Sequence, residues 1–238
     1  MRIIVYIFFL LTFSGCGVYA PTTCSIPLMS AEKEFQIDGG MTTFGSFTGT
    51  ATFAPKDHFA TQLFFQFPNK IIWKDFLANS DVQYYQGAIG YFNKFKDGAI
   101  YELYGGFGYG LGGSAHGDGN YSSSHYGVGY MQVNIGNSTK YIDYGVGFKL
   151  GVLNSTSYNS RNYQVTLSAF YANVLFEPNF FIRTGFEKVK FSIKLGLCMI
   201  GPIDNPDFYY TPLNLSMGIN YTFKPIFKQR KSEVVFNY

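Results

Sequence analysis

The chain has 238 residues, enough for one large domain, and its formal net charge of +3 is small and scattered along the sequence. Nucleic-acid binding needs a clustered basic face and is therefore excluded, and only 14% of the residues are charged, against about 25% in ordinary soluble domains. Aromatic residues reach 20%, yet beyond the N-terminus no apolar run approaches the roughly 18 residues of a membrane-spanning helix, so the composition favours a β-barrel over a secreted β-sandwich.

The N-terminus has the features of a bacterial export signal. Arg2 precedes an apolar stretch over residues 3–13, which is too short to span a membrane as a helix. The motif Phe13-Ser14-Gly15-Cys16 is similar to a lipobox, in which the cysteine is acylated and becomes the mature N-terminus. The alternative is ordinary cleavage after Ala20, but Pro21 follows directly and disfavours it. We therefore expect acyl chains on Cys16, which would hold the N-terminus at a membrane.

The other cysteines and the histidines predict no metal site, because their spacing matches no ligand pattern. Cys24 lies in a predicted tether, and Cys198 lies near the far end of a predicted strand. A disulfide is chemically allowed in an oxidising compartment, but this separation leads us to expect two free thiols. We expect no cofactor.

Segments of alternating polarity define a barrel domain over residues 33–224. It is preceded by a signal peptide with lipobox over residues 1–15 and a lipid-anchored tether over residues 16–32, and followed by a basic tail over residues 225–238. Most segments are close to the 9–11 residues that a tilted strand needs to cross a bilayer. The ten predicted strands cover residues 34–41, 47–54, 59–67, 82–92, 100–111, 126–135, 141–152, 173–183, 189–200 and 213–223.

Short and long connections alternate along this series. The connections after the second, fourth, sixth and eighth strands are short, and those after the third, fifth, seventh and ninth are longer. This asymmetry is typical of up-and-down outer-membrane barrels, which have short periplasmic turns and longer external loops. An even number of strands then predicts that both termini lie on the periplasmic side. The predicted long loops cover residues 68–81, 112–125, 153–162 and 201–212.

The ninth predicted strand shows the alternation most clearly. Apolar residues occupy every second position from Val189 to Met199, and Lys188, Lys190 and Lys194 lie at alternate positions. Unpaired charge is costly inside a soluble core. We therefore expect the apolar face to contact lipid and the lysines to face a polar lumen.

Charges of both signs recur at the predicted inward positions of other strands. Opposite charges in a narrow lumen can satisfy one another, so we expect a filled barrel with an internal charge network. The alternative is a narrow channel or a small-solute binder that uses the lumenal lysines. The predicted network consists of Asp38, Glu102, Asp143, Lys149, Glu177, Arg183, Lys188, Lys190 and Lys194.

Two patterns in the middle of the chain could also indicate an enzyme. The run from Gly108 to Gly113 matches G-x-G-x-x-G, but dinucleotide binding needs a following helix. We therefore expect these glycines to alternate along a barrel strand and to leave room inside the barrel. Ser114, His116 and Asp118, with His125 nearby, supply the residue types of a hydrolase at the barrel rim. Because a glycine-rich loop preorganises such groups poorly, we expect no catalytic residues.

The last predicted strand ends in a motif in which Gly218, Tyr221 and Phe223 are spaced as in the closing-strand signal of outer-membrane barrels. Together with the lipobox and the tether, this motif resembles the small outer-membrane β-barrel-domain lipoproteins of Bacteroidetes-type bacteria. The resemblance implies insertion by the barrel assembly machinery and no defined activity. The residues from Lys224 onward depart from the pattern, since such barrels usually end at the signal.

These observations predict an all-β, single-barrel lipoprotein of the bacterial outer membrane with a non-enzymatic structural or surface-interaction role. Its partner is the lipid bilayer, which the barrel and the acyl chains would contact. The sequence does not identify an external partner of the long loops. A narrow channel and a rim hydrolase acting on lipid or peptide are the alternatives.

Overall fold

The structure, a computed structural model, describes residues 19, 22, 25–43, 45–68, 82–95, 98–115, 121–161, 164–167, 171–201, 210 and 212–224. The described residues form twelve β-strands, and no helix among them is long and apolar enough to cross a membrane. The strands are β1 (Phe35–Thr42), β2 (Ser46–Lys56), β3 (Phe59–Pro68), β4 (Gln83–Lys94), β5 (Ala99–Ala115), β6 (Tyr121–Ser138), β7 (Ile142–Arg161), β8 (Gln164–Leu167), β9 (Tyr171–Gly185), β10 (Val189–Leu197), β11 (Met199–Gly201) and β12 (Leu213–Phe223).

Ten of these strands close an antiparallel barrel. Each strand from β1 to β6 pairs with the next, β7 pairs with β9, β9 with β10, and β10 with β12. The ring closes where β12 pairs with β1, from Phe35 opposite Phe223 to Thr42 opposite Ser216. The short β8 pairs with the outer part of β7, and β11 continues the line of β10 beyond a break at Cys198. The prediction of a single ten-stranded antiparallel barrel is confirmed.

The two ends of the barrel differ. Brief turns after β2, β4, β6 and β9 lie at one end, which we call the turn end, and we call the opposite end the loop end. β1 begins at the turn end, and β12 finishes there. In the turn after β2, His58 adopts a left-handed φ of 63°, and its Nδ1 lies 3.0 Å from the carbonyl oxygen of Phe92. His58 therefore has a structural role in this turn.

At the loop end, β5, β6 and β7 extend beyond the predicted strands. The range 112–125, predicted as a loop, contains the end of β5 and the start of β6, and the range 153–162 contains the outer part of β7. Those two loop predictions are wrong, because they followed the alternation of apolar side chains, which ends earlier. Backbone pairing needs no apolar face, and the ladder continues with Ser114 opposite Ser122.

Side chains divide by chemistry between the two faces of the wall. Outward positions carry large apolar side chains, including Leu63 at 65% exposed, Ile89 at 62% and Phe107 at 62%. Inward positions carry mostly threonine, glutamine, asparagine, tyrosine and charged side chains, which are buried in the lumen. This distribution is the reverse of that in a soluble protein, in which the large apolar side chains are the buried ones.

Candidate functional site

The lumen holds the N-terminal segment of the chain itself. We call residues 19–30 the plug, of which the structure describes 19, 22 and 25–30. The sequence predicts a lipid-anchored tether over residues 16–32, and the described part of that range up to residue 30 lies inside the barrel. Five plug side chains are at most 1% exposed, namely those of Tyr19, Thr22, Ile26, Leu28 and Met29.

Nearest the loop end, the plug contacts a buried ion pair. The ammonium of Lys149 on β7 lies 3.4 Å from a carboxylate oxygen of Glu177 on β9, and both side chains are 0% exposed. The hydroxyls of Tyr19 and Thr22 donate to Glu177 over 2.7 Å and 3.0 Å. Lys149 in turn donates to the Thr22 hydroxyl and, over 2.9 Å, to the amide oxygen of Gln86. A buried ion pair needs additional partners to offset the loss of hydration, and the plug supplies two of them.

In the middle of the lumen, side chains of the wall donate hydrogen bonds to the main chain of the plug. The carbonyl oxygen of Ser25 accepts from the side-chain amides of Gln62 on β3, over 3.2 Å, and Gln132 on β6, over 3.0 Å. Arg183 on β9 donates to the carbonyl oxygens of the next two residues, over 3.3 Å in the case of Pro27. These bonds depend on the path of the plug backbone rather than on plug side chains.

Nearer the turn end, the contacts between the plug and the wall are apolar. Ile26 and Leu28 form a buried cluster with Ile100 on β5 and Phe181 on β9. Leu28 has a φ of 58°, which is uncommon for a bulky residue and bends the plug at this point. The cluster therefore fixes the plug at a bend, on the turn-end side of the polar contacts.

Two carboxylates accept hydrogen bonds from the part of the plug nearest the turn end. The backbone amide of Met29 donates to Glu102 over 2.7 Å, and the side-chain amide of Asn134 donates to the same carboxylate over 2.8 Å. Glu34, just before β1, accepts from the backbone amide of Ser30 over 2.8 Å and from its hydroxyl over 2.9 Å. The chain thus passes directly from the plug into the first strand.

Two further ion pairs join strands of the wall. On β10, Lys190 lies 2.6 Å from a carboxylate oxygen of Asp143 on β7, and Lys194 pairs with Asp38 on β1. Each pair reaches past one intervening strand of the ring. Lys188, which the sequence analysis included in the network, is instead exposed in the turn between β9 and β10, because the strand begins only at the next residue.

The other eight residues of the predicted network are at most 5% exposed. Their carboxylates are Asp38, Glu102, Asp143 and Glu177, and their cations are Lys149, Arg183, Lys190 and Lys194. Glu34 is also buried and adds a fifth carboxylate, which lies 3.6 Å from the ammonium of the partly exposed Lys224.

Glycine at position 147 makes room for the plug. A Cβ there would lie 2.7 Å from Cδ1 of Ile26 and 2.7 Å from Oδ1 of Asn134. Gly147→Leu is therefore expected to displace the plug, because overpacking costs about 1–3 kcal/mol. We expect added protease to cleave the plug about fivefold faster or more, measured by mass spectrometry of purified protein. Gly129→Leu is the control, since a Cβ there has no neighbour within 4 Å, and equal cleavage of both variants would contradict this packing.

The glycine-rich run lies within β5, with no helix after it among the described residues. A Cβ on Gly108 would overlap the ring of Tyr84, and a Cβ on Gly110 would overlap the ring of Tyr126. The glycines therefore make room for inward tyrosine rings, as the sequence analysis expected.

The residues of the hydrolase alternative do not form a catalytic pair where the structure describes them. His125 faces outward from β6, and its Nδ1 lies 3.0 Å from the hydroxyl of Tyr109. The adjacent Ser124 is buried, and consecutive strand residues point to opposite faces. His116 and Asp118 lie outside the described residues, as does the side chain of Ser114. The described residues contain no cluster of His, Cys, Asp and Glu that could hold a metal ion.

The predicted closing-strand residues all lie on β12. Tyr221 and Phe223 face outward, and Gly218 lies where β12 meets β1. A Cβ on Gly218 would lie 2.8 Å from the Cα of Gly40, so glycine permits this close approach. Other predictions fall outside the described residues, namely the signal over residues 1–15, the lipidation of Cys16, the thiol of Cys24 and the tail over residues 225–238.

No protein-family model matches the chain, and no curated protein is significantly similar to it. The resemblance to outer-membrane lipoproteins therefore stays a prediction. The functional interpretation rests on the geometry of the plugged lumen and on the chemistry of the two faces of the wall.

Proposed function

We propose that the protein is an outer-membrane β-barrel lipoprotein with a structural or surface-interaction role, acylated at Cys16 and closed to solutes. The observation that carries this proposal is the polarity of the wall. A closed ring of strands with large apolar side chains outside and charges inside is suited to a lipid environment, because each strand of the ring is paired on both sides and the outer face is apolar.

The plugged lumen supports a non-conducting, non-enzymatic role. Plug contacts reach five different strands of the wall, namely β3, β5, β6, β7 and β9. The described lumen holds five buried carboxylates and four buried cations, which gives no reason to expect anion selectivity, since an anion pathway needs an excess of cations. Of the lysines that suggested a channel, Lys149, Lys190 and Lys194 are paired with carboxylates, and Lys188 lies outside the lumen.

Ile89→Lys distinguishes a lipid-facing surface from a water-facing one. Ile89 is 62% exposed on β4, so lysine there would be harmless in water. If the residue faces lipid near the bilayer midplane, lysine costs about 2–4 kcal/mol of folding free energy. We expect that loss in urea unfolding of protein folded into lipid vesicles.

The matched control is Asp57→Lys, in the exposed turn after β2, which should change the free energy of unfolding by less than about 0.5 kcal/mol. Unchanged stability of Ile89→Lys, or extraction of the native protein from cells without detergent, would overturn the membrane assignment. Acylation is tested separately with an alkyne-labelled fatty acid. The wild-type chain should carry the label and Cys16→Ser should not.

A further inference from the structure

The plug has a direction relative to the barrel. Tyr19 forms a parallel backbone bridge with Tyr210, close to the start of β12 at the loop end. Its ring also packs edge-on against that of Tyr126, with 5.2 Å between the ring centres. Ser30, in contrast, bonds to Glu34 immediately before β1 begins at the turn end. Along the sequence, the plug therefore runs through the lumen from the loop end to the turn end.

The chain length between Cys16 and Tyr19 limits how far Cys16 can lie from the loop end. Cys16 is three residues before Tyr19, so its Cα must lie within about 11 Å of the Tyr19 Cα. Three residues are too few to bring Cys16 back to the turn end.

We propose that the N-terminal segment crosses the membrane through the lumen of its own barrel. Acylated Cys16 is then anchored in the leaflet at the loop end, opposite to the side where β12 ends. This inference rests on the proposed membrane function. With the longer connections outside the cell, the anchoring leaflet is the outer one. The expectation that both termini are periplasmic counted strands alone, and the plug adds one further crossing.

Epitope tags at four positions test this topology in intact bacteria that have an outer membrane. The tags are inserted after residue 17, within residues 116–120 between β5 and β6, after Lys140 in the turn between β6 and β7, and after Tyr238. Each tagged full-length chain is probed with antibody before and after the outer membrane is permeabilised. Membrane pellets washed with carbonate show for each variant whether the barrel is inserted.

We expect the tag after residue 17 to be labelled on intact cells, together with the tag within residues 116–120. The tags after Lys140 and Tyr238 should be labelled only after permeabilisation. If inserted protein shows the tag after residue 17 labelled only together with the one after Lys140, the proposed topology is overturned while the membrane function stands. If the protein is absent from the washed membranes, both proposals fail.

A disulfide measurement tests the direction of the plug without relying on tags near it. Parallel backbone neighbours lie about 5 Å apart, within the Cα separation that a disulfide spans. In a chain in which Cys24 and Cys198 are serine and Cys16 is kept, Tyr19→Cys with Tyr210→Cys should cross-link under mild oxidation of the purified, folded protein. Tyr19→Cys with Lys224→Cys, at the turn end, is the control and should not. Absence of the first cross-link, or formation of the second, overturns the proposal.

Discussion

Deleting residues 17–30 is expected to convert a closed barrel into a conducting one. The described residues of the plug lie in the lumen, and removal of the plug leaves a wall lined with polar and charged side chains. Water and ions can occupy such a lumen. In planar lipid bilayers we expect no current steps from the intact protein and discrete, ohmic steps from the deletion variant. Because five buried carboxylates and four buried cations remain, we expect only a weak preference for cations over anions.

The matched control replaces residues 17–30 with a glycine-serine segment of equal length. That segment keeps the chain length but lacks the side chains of Tyr19, Thr22, Ile26 and Leu28, so it should also conduct, with a noisier current. A synthetic peptide with the sequence of residues 19–30, added to the deletion variant, should reduce the current. Steady conductance of the intact protein would show that the plug does not seal the lumen.

Lys149→Met is expected to lower the free energy of unfolding by about 3–5 kcal/mol, since it leaves the Glu177 carboxylate buried without its cation. Tyr19 and Thr22 can still donate to Glu177, but neutral donors do not compensate a full charge. Urea unfolding of the vesicle-inserted protein measures the loss. The double variant Lys149→Met with Glu177→Gln should recover most of it, because no charge is then left at the site.

Lys188→Met is the matched control for this experiment. The sequence pattern put Lys188 in the same network, but the residue is exposed in a turn, so its replacement should shift stability by less than about 0.5 kcal/mol. Equal losses for Lys149→Met and Lys188→Met would show that the effect follows net charge rather than the buried pair.

The wall of the barrel was largely predictable because strands alternate strictly between two faces. Once Phe191 and Ile193 are assigned to the outside, Ser192 and Lys194 must face inward, and the structure has them so. The same rule located Asp143 and Glu177 on their strands. Pairing partners were less predictable, since Lys190 reaches Asp143 past an intervening strand, and only the curvature of the ring brings the two together.

The plug could not be predicted in this way, for a physical reason. Its contacts with Gln62, Gln132 and Arg183 are made by main-chain carbonyl groups, which every residue has and which leave no pattern in the sequence. Pro21 and Pro27 also make the segment resemble a linker. The available signal lay in the wall, where a narrow lumen rich in inward polar groups required something to satisfy them.

The seam between β1 and β12 has a consequence for how the protein folds. Tyr19 bonds to Glu177, 158 residues later, and the plug lies inside a ring whose final pairing involves β12, among the last residues described. A finished ring could accept the segment only by end-on threading. The simplest order of events is therefore that the sheet curls around the N-terminal segment and the seam forms afterwards. The last of the described strands then encloses a segment that was synthesised much earlier.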